Sequence, residues 1–220
     1  MNNEILEIES IIGYTFSDKK LLRESLTHQS YANESGDPSY ERLEFLGDAV
    51  LELVVSRYIY ENFSFDAGVS SKLRAALVST GYLNDIVSEL GIQKYVLKSK
   101  SLPQLSKKNT ADIFESLVGA VYADGGLEVA QNLIYKFVIR SDENVGFVLK
   151  NSIDYKTTLQ EKFQKVGANF EYKLLESRGQ DHNKTFVVGL FVDGLQVEVS
   201  EGKSKQLAEE NCARQYLSKQ

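Results

Sequence analysis

The ten residues from 41 to 50, ERLEFLGDAV, constrain this chain more than any other segment. They place Glu41, Glu44 and Asp48 at positions i, i+3 and i+7, which share one face of an α-helix. Stacked carboxylates at this spacing repel each other by roughly 0.2–0.5 kcal/mol per pair, and a bound cation would offset that repulsion. Oxygen ligands favour a hard ion such as Mg²⁺ or Mn²⁺. A solvated acidic face without a ligand is the alternative interpretation of the same pattern.

Two residues in this segment favour a functional site over a solvated face. Gly47 sits within the predicted helix, where glycine costs about 1 kcal/mol relative to alanine, so we expect a packing reason for it. Phe45 lies beside the acids, and an aromatic ring next to an acidic stripe indicates a surface that meets another surface. The opposite face has the period of a helix packed on a core and consists of Leu43, Leu46, Val50, Leu53 and Val54.

A second acidic pair occurs in residues 110–126, TADIFESLVGAVYADGG. Asp112 and Glu115 are again three residues apart beside a helical apolar face, and Gly125 and Gly126 are expected to end the helix. Two such helices can bring their acidic stripes together across a cleft. Their carboxylates could then hold two metal ions about 4 Å apart, a pair that clamps the attacking and leaving oxygens of a phosphodiester displacement.

The pattern changes after about residue 147. Residues 154–167 predict a helix with Leu159, Phe163 and Val166 facing inward. Residues 170–202 then predict three strands separated by turn signals, and residues 203–220 predict a closing helix. The order of elements in this segment is therefore α-β-β-β-α.

Charge is distributed unevenly along the chain. Residues 1–150 carry 21 acidic and 15 basic side chains, which is the whole net charge of −6, whereas residues 151–220 carry ten of each. An acidic domain suits a site built from several carboxylates. A neutral segment can still bind phosphate if its basic residues lie on one face.

The composition also bears on compartment. The single cysteine, Cys212, excludes an intramolecular disulfide and is expected to be a buried small residue, which fits a reducing cytoplasm. The first residues lack the basic start and apolar run of a signal peptide. No stretch approaches about 18 apolar residues. We therefore expect a cytoplasmic protein with no membrane partner.

The two acidic segments are the basis of a family resemblance. ERLEFLGDAV resembles the signature of the ribonuclease III family, and TADIFESLVGAVYADGG resembles that family's second acidic motif. LTHQSYANE at 26–34 and SSKLRAALVS at 70–79 agree with it, and the C-terminal segment resembles the double-stranded RNA-binding domain. The resemblance covers essentially the whole chain. It implies an all-α endonuclease domain at 1–147, a linker at 148–152 and a small α+β double-stranded RNA-binding domain at 153–220.

The resemblance also implies an activity. It is the Mg²⁺-dependent endonucleolytic hydrolysis of double-stranded RNA, with Mn²⁺ as a substitute ion and no nucleotide cofactor. The products would carry 5′-phosphate and 3′-hydroxyl ends with short 3′ overhangs, in the processing of rRNA and mRNA.

The resemblance further implies an assembly and a set of site residues. The chain would form a homodimer in which Phe45 packs into the partner. Asp48 and Glu115 would be catalytic, and the metal ligands would be Glu41, Glu44, Asp48, Asp112 and Glu115, with Glu41 as an additional or outer carboxylate.

Further residues are assigned to RNA binding by the resemblance. On the first helix of the C-terminal segment, the residues that would face a minor groove are Thr157, Gln160 and Glu161. His182, in a loop, would enter the next minor groove. At the start of the final helix, where the helix dipole helps, the residues that would meet phosphates are Lys203, Ser204 and Lys205. His28 is expected to have a structural hydrogen-bonding role, because no side-chain base is required when a metal supplies hydroxide.

Two positions depart from the family pattern. Ala67 stands where the family usually has an acid, and the nearby Asp66 is displaced by one residue. Gln206 stands where a second lysine usually follows the serine of the final helix, which weakens one phosphate contact.

Two non-enzymatic alternatives remain at this stage. The same domains could form a double-stranded RNA scaffold or a ribosome-associated protein with a degenerate site, but that needs lost carboxylates, and none of the five is lost. A purely structural helical dimer would leave the acidic stripes unexplained. Cleavage of duplex RNA that depends on Mg²⁺ would exclude both.

Overall fold

The computed structural model describes residues 2–152, 154–179 and 184–219. The chain forms two compact units, Met1–Ser152 and Ile153–Gln220. Residues 148–152, expected to link the domains, belong to the last helix of the first unit.

The first unit is helical throughout. Its two longest helices, α4 and α7, pack against each other along the centre of the core. A 3₁₀ turn at Ile92–Tyr95 and a π-helical turn at Tyr135–Ile139 complete it. The α-helices are α1 (Asn2–Ile12), α2 (Lys19–Ser25), α3 (Gln29–Ser35), α4 (Glu41–Asn62), α5 (Ala67–Leu77), α6 (Thr80–Leu90), α7 (Lys107–Ile134) and α8 (Asp142–Ser152).

The core face of α4 differs at one position from the prediction. Leu43, Val50 and Val54 are buried as predicted, and Leu46 is half-buried. Leu53 is 56% exposed, so its assignment to the core was wrong. At about 100° per residue, the buried stripe continues through Leu51 and Val54, and position 53 points away from it.

Helix α7 begins at a reciprocal cap and breaks at a glycine. The hydroxyl of Ser106 accepts the backbone N–H of Asn109, and the Asn109 side chain accepts the backbone N–H of Ser106. The predicted end of the acidic helical segment is confirmed at Gly126, where φ is 81°. The chain resumes helical geometry directly afterwards and continues to Ile134.

The second unit has the predicted α-β-β-β-α order. It consists of α9 (Tyr155–Val166), β1 (Phe170–Arg178), β2 (Thr185–Val192), β3 (Leu195–Gly202) and α10 (Lys205–Ser218). The strands form an antiparallel sheet in the order β1-β2-β3. The core of the unit contains Leu159, Phe163, Val188, Leu190, Ala208, Cys212 and Ala213.

One inward residue of α9 was predicted wrongly. Leu159 and Phe163 are buried, but Val166 is 71% exposed. Val166 is the last residue of α9, and Gly167 ends the helix in the left-handed conformation, so no neighbour covers that side chain. None of the helices in the described ranges has the length and apolar character needed to cross a membrane.

Candidate active site

Two glycines set the closest approach of α4 and α7. A Cβ atom on Gly47 would lie 1.7 Å from the carbonyl oxygen of Glu115, and one on Gly119 would lie 2.1 Å from the carbonyl oxygen of Leu43. Only hydrogen fits at either position, so the two backbones touch at the crossing. This contact is the packing reason expected for Gly47. It also brings the acidic stripes of the two helices face to face.

The acidic side chains meet at that crossing. Carboxylate oxygens of Glu44, Asp112 and Glu115 lie within 4.8 Å of one another. They open into a polar cavity of about 660 Å³. All five acids predicted from sequence line this cavity, namely Glu41, Glu44, Asp48, Asp112 and Glu115. Glu41 and Asp48 lie outside the group of three.

Burial shifts the proton affinity of two of these carboxyls. Loss of water raises the pKa of Glu115 to about 7, and the charges of Asp48 and Asp112 push it in the same direction. Burial also raises the pKa of Glu44, with Asp112 adding to the shift and Lys108 opposing it. Like charges in partly dehydrated surroundings therefore favour uptake of a proton or a cation.

A lysine that the sequence reasoning missed already pairs with this group. The Lys108 ammonium donates to both carboxylate oxygens of Asp112, at 3.1 and 3.0 Å. The same nitrogen lies 3.9 Å from a carboxylate oxygen of Glu44. The i, i+4 spacing of Lys108 and Asp112 on one helix was the signal that could have identified it.

His28 forms part of the cavity wall and has the structural role predicted for it. It is the N-cap of α3, where its ring Nδ1 accepts the backbone N–H of Ser30 at 3.0 Å. Its ring also packs edge-on against buried Tyr40, with centroids 5.7 Å apart. Burial lowers the pKa of His28, while Glu41 and Asp112 oppose the shift.

Phe45 lies at the rim of the same cavity and is 81% exposed. The prediction that it sits beside the acids and away from the core is confirmed. Its packing into a partner subunit stays a prediction. Tyr60, on the same helix, is also largely exposed.

In the second unit, α9 presents the three side chains predicted to face a minor groove. Thr157, Gln160 and Glu161 are all exposed. Thr157 also belongs to the cap of the helix, since its backbone N–H and its hydroxyl donate to the Asp154 carboxylate at 3.0 and 2.7 Å. This arrangement fixes the hydroxyl at the first turn.

The start of α10 carries the residues predicted to meet phosphates. Ser204 is the N-cap, and its hydroxyl accepts the backbone N–H of Leu207 at 3.1 Å. Lys203 and Lys205 flank it and are exposed. The predicted loop residue His182 lies outside the described residues.

Comparison with known proteins decides the family. A Ribonuclease-III-like family pattern matches residues 18–141, and a double-stranded RNA binding motif matches residues 155–220. Ribonuclease 3 from Bacillus cereus (strain AH187) is 38% identical over 217 residues, which cover 94% of this chain and 88% of that protein. The chain belongs to the ribonuclease III family.

Solved structures agree with this assignment. A structure of the nuclease domain of ribonuclease III from Campylobacter jejuni has a TM-score of 0.58 and 33% identity, covering 62% of this chain and 97% of that one. A crystal structure of the same nuclease domain has a TM-score of 0.56 and 35% identity, covering 61% and 92%. The predicted fold class is confirmed, and the chain is an endoribonuclease, a hydrolase.

The two departures from the ribonuclease III pattern have different local settings. Asp66 is the N-cap of α5 and accepts the backbone N–H of Val69 at 2.9 Å, so its carboxylate stabilises that helix end. Ala67 is the first residue of α5. Gln206 is exposed in the first turn of α10.

Proposed function

We propose that this ribonuclease III-family chain hydrolyses double-stranded RNA with the help of Mg²⁺, leaving 5′-phosphate and 3′-hydroxyl ends. The observation that carries the proposal is the group of three carboxylates within 4.8 Å at the α4–α7 crossing. Its donors are all oxygens, and oxygen donors suit a hard divalent cation. Mn²⁺, which accepts the same ligands, is the expected substitute.

The residues present fit such an ion. Asp112 is only 7% exposed, and partly buried Glu115 shares its surroundings with other carboxylates, so added positive charge stabilises the group. Glu44, Asp48, Asp112 and Glu115 would hold the ion, with Glu41 as an outer carboxylate. When bound, the ion would acidify water for attack on phosphorus and stabilise the departing 3′ oxygen.

The protein's own contribution is to hold the acids in place. Asp48 of α4 and Glu115 of α7 are proposed as catalytic on the family resemblance, and they lie on helices whose backbones touch at Gly47. Helices in such contact keep their side chains in register more precisely than loops do. The open cavity between them gives a phosphodiester backbone access to the carboxylates.

The second unit is proposed to bind the duplex. A double-stranded RNA binding motif reads A-form shape, 2′-hydroxyls and phosphates rather than sequence. The start of α10, capped by Ser204 and flanked by Lys203 and Lys205, has the positive charge and the helix N-terminus that attract phosphate. Thr157, Gln160, Glu161 and His182 are proposed for the minor-groove contacts.

Assembly and cellular role follow from the same proposal. We infer a homodimer with Phe45 in its interface, which would place two acidic sites in one particle. The proposed substrates are structured rRNA and mRNA precursors in the cytoplasm. A nucleotide cofactor has no part in the reaction.

The direct test is cleavage of a long labelled duplex RNA by the full-length protein. Parallel reactions contain Mg²⁺, Mn²⁺ or a chelator, and a single-stranded RNA of the same sequence is the substrate control. We expect fragments only from the duplex and only with an ion, and 5′ ends that accept label only after phosphatase treatment. An intact duplex in Mg²⁺, with binding retained, would contradict the proposed activity.

A further inference from the structure

Lys108 lies where it can affect the affinity of the proposed metal centre for its ion. Its ammonium makes contacts of 3.1 and 3.0 Å with the two oxygens of Asp112 and lies 3.9 Å from Glu44. Asp112 and Glu44 are two of the carboxylates that are proposed to hold the divalent ion. Within the described parts of the chain, no other lysine or arginine lies within 4.0 Å of the carboxylates of Glu44, Asp112 or Glu115.

The lysine is held by charge rather than by packing. Its side chain is 71% exposed, and the residue lies one helical turn before Asp112 on α7. A lysine ammonium is a point charge on a flexible stem, so it can swing into solvent without moving the helix. The carboxylates cannot leave as easily, because Asp112 is buried and α7 is in backbone contact with α4.

We propose that Lys108 is a built-in counter-cation of the metal centre, which neutralises Asp112 and Glu44 in the absence of the ion and competes with it for their oxygens. This inference rests on the proposed role of the acids as metal ligands. Two cations cannot share both oxygens of Asp112 at contact distance without strong repulsion. Binding of the ion at these carboxylates therefore displaces Lys108 from at least part of this contact, and the free energy of the lost ion pairing is subtracted from the affinity for the metal.

The chain offers a matched control for this idea. Lys107 is the first residue of α7, is exposed and does not line the acidic cavity. Lys107→Gln and Lys108→Gln change the net charge equally, one residue apart. Lys108→Arg keeps the charge at the site. Any difference between the two glutamine variants reports the local contact and not the general field of the protein.

The experiment measures Mn²⁺ binding directly, by the electron paramagnetic resonance signal of the free ion, with the full-length protein and no RNA. We expect Lys108→Gln to bind Mn²⁺ roughly three- to tenfold more tightly than the parent, the factor typical of losing one charge-assisted ion pair. Lys107→Gln and Lys108→Arg should stay within about twofold, the range of an exposed charge.

Thermal unfolding gives a second readout. In a chelator, Lys108→Gln should have a lower Tm than Lys107→Gln, because Asp112 and Glu44 then repel each other without a counter-charge. Saturating Mn²⁺ should reduce that difference, since the ion supplies the missing charge and stabilises the folded state by binding it.

The outcomes separate this inference from the proposed function. If the parent binds Mn²⁺ but Lys108→Gln binds it equally or more weakly, the counter-cation role is wrong and the metal centre stands. If both glutamine variants tighten binding by the same factor, the effect is the general field, and the role of Lys108 is again wrong. If neither the parent nor Lys108→Gln binds Mn²⁺, the metal centre and the counter-cation role both fail.

Discussion

Asp112 and Glu115 lie one turn apart on α7, yet their surroundings differ. Asp112 is bonded to Lys108 through both oxygens. Glu115 has no such ion pair in the described residues, and burial raises its pKa to about 7. The carboxyl without a counter-charge gains most from an added cation. At the residue scale, Glu115 is therefore the most sensitive point of the proposed centre.

Glu115→Gln should abolish cleavage and leave duplex binding within about threefold of the parent. The amide keeps the shape of the side chain but loses its charge, and losing one group that stabilises developing charge costs on the order of 10²–10³ in rate. The measurement is single-turnover cleavage in Mg²⁺ together with a binding assay in a chelator. Glu52→Gln, at an exposed glutamate of α4, is the control and should cleave normally. Residual cleavage above about a few per cent of the parent rate would be inconsistent with this role.

The raised pKa of Glu115 predicts a dependence of stability on pH in metal-free protein. The folded pKa, about 7, exceeds the ordinary value of 4.5, so the folded state holds the proton more tightly than the unfolded state. This contribution to the free energy of unfolding is fully present below pH 4.5 and is lost as the pH rises through about 7. Stabilisation by Mg²⁺ should show the opposite trend and be larger at pH 8 than at pH 6, because the ion needs the carboxylate.

Urea unfolding at several pH values, with chelator or with Mg²⁺, measures both trends. Glu115→Gln is the control for the metal-free series, because the amide does not titrate. Between pH 5 and 7, the free energy of unfolding of this variant should fall less steeply with rising pH than that of the parent. Identical slopes for the two proteins would show that Glu115 titrates normally.

At the scale of elements, the crossing of α4 and α7 depends on the absence of two Cβ atoms. Gly47 faces the carbonyl of Glu115, and Gly119 faces the carbonyl of Leu43. The obstacle at each position is backbone of the partner helix, which cannot rotate aside as a side chain can. The spacing of the helices, and with it the distance between the acidic stripes, is therefore set by these glycines.

Gly47→Ala should separate the helices and cost stability. A Cβ atom 1.7 Å from a carbonyl oxygen forces the helices apart, and overpacking of this kind costs about 1–3 kcal/mol or more. The variant should also lose most of the thermal stabilisation by Mn²⁺, since its acids move apart. Gly81→Ala is the control, because nothing lies within 4 Å of its Cβ position in α6. That change should be neutral or stabilising by about 0.4–1 kcal/mol.

The first turn of α10 is the second element with a predicted function. Gln206→Lys should add one phosphate contact, so the plot of log affinity against log salt should steepen by roughly 0.7–0.9. Lys205→Ala should flatten it by a similar amount, and equally for different duplex sequences. Lys219→Ala, at the other end of α10, is the control, because that lysine pairs with Glu198.

Filter binding of one duplex at several salt concentrations, in the Glu115→Gln background, measures these slopes without cleavage. Unchanged slopes for both variants of the first turn would show that this helix end does not touch the RNA backbone.

At the scale of the whole molecule, the two units divide charge between them. Residues 1–150 hold the entire net charge of −6, and residues 151–220 are neutral. A negative net charge disfavours contact with RNA, so we propose that the neutral unit with its basic helix start makes the first contact. Assembly into a dimer is the remaining property at this scale, and Phe45 is the residue proposed to control it.

Phe45→Glu should convert the proposed dimer into a monomer. The change removes an exposed aromatic anchor and adds a negative charge beside Glu41, Glu44 and Asp48. Sedimentation velocity over a range of concentrations measures the result. Leu195→Glu, at an exposed apolar position of the second unit, makes the same kind of change and should leave the assembly intact. An intact, active dimer of the Phe45 variant would place its interface elsewhere.

Much of the secondary structure and of the candidate site could be predicted from hydrophobic periodicity and from the residues that begin and end helices and strands. The three strands of the second unit, the buried Cys212 and the five acids of the cavity all follow from local spacing, because the faces of a helix or strand are set by its own geometry. The two wrong core assignments, Leu53 and Val166, also have a geometric cause. A periodic apolar residue is buried only where another element covers it, and coverage is not a local property.

The sequence by itself determined which carboxylates share a helix face, the order of the elements and the resemblance to ribonuclease III. Only the tertiary structure decided that three acids from two helices approach within 4.8 Å, that Gly47 sets the distance between those helices, and that Lys108 of α7 also comes close to Glu44 of α4. The physical reason is that charge neutralisation and loss of water depend on distances across the α4–α7 crossing. Those distances arise when residues far apart in the chain pack together, and spacing along a single helix does not contain them.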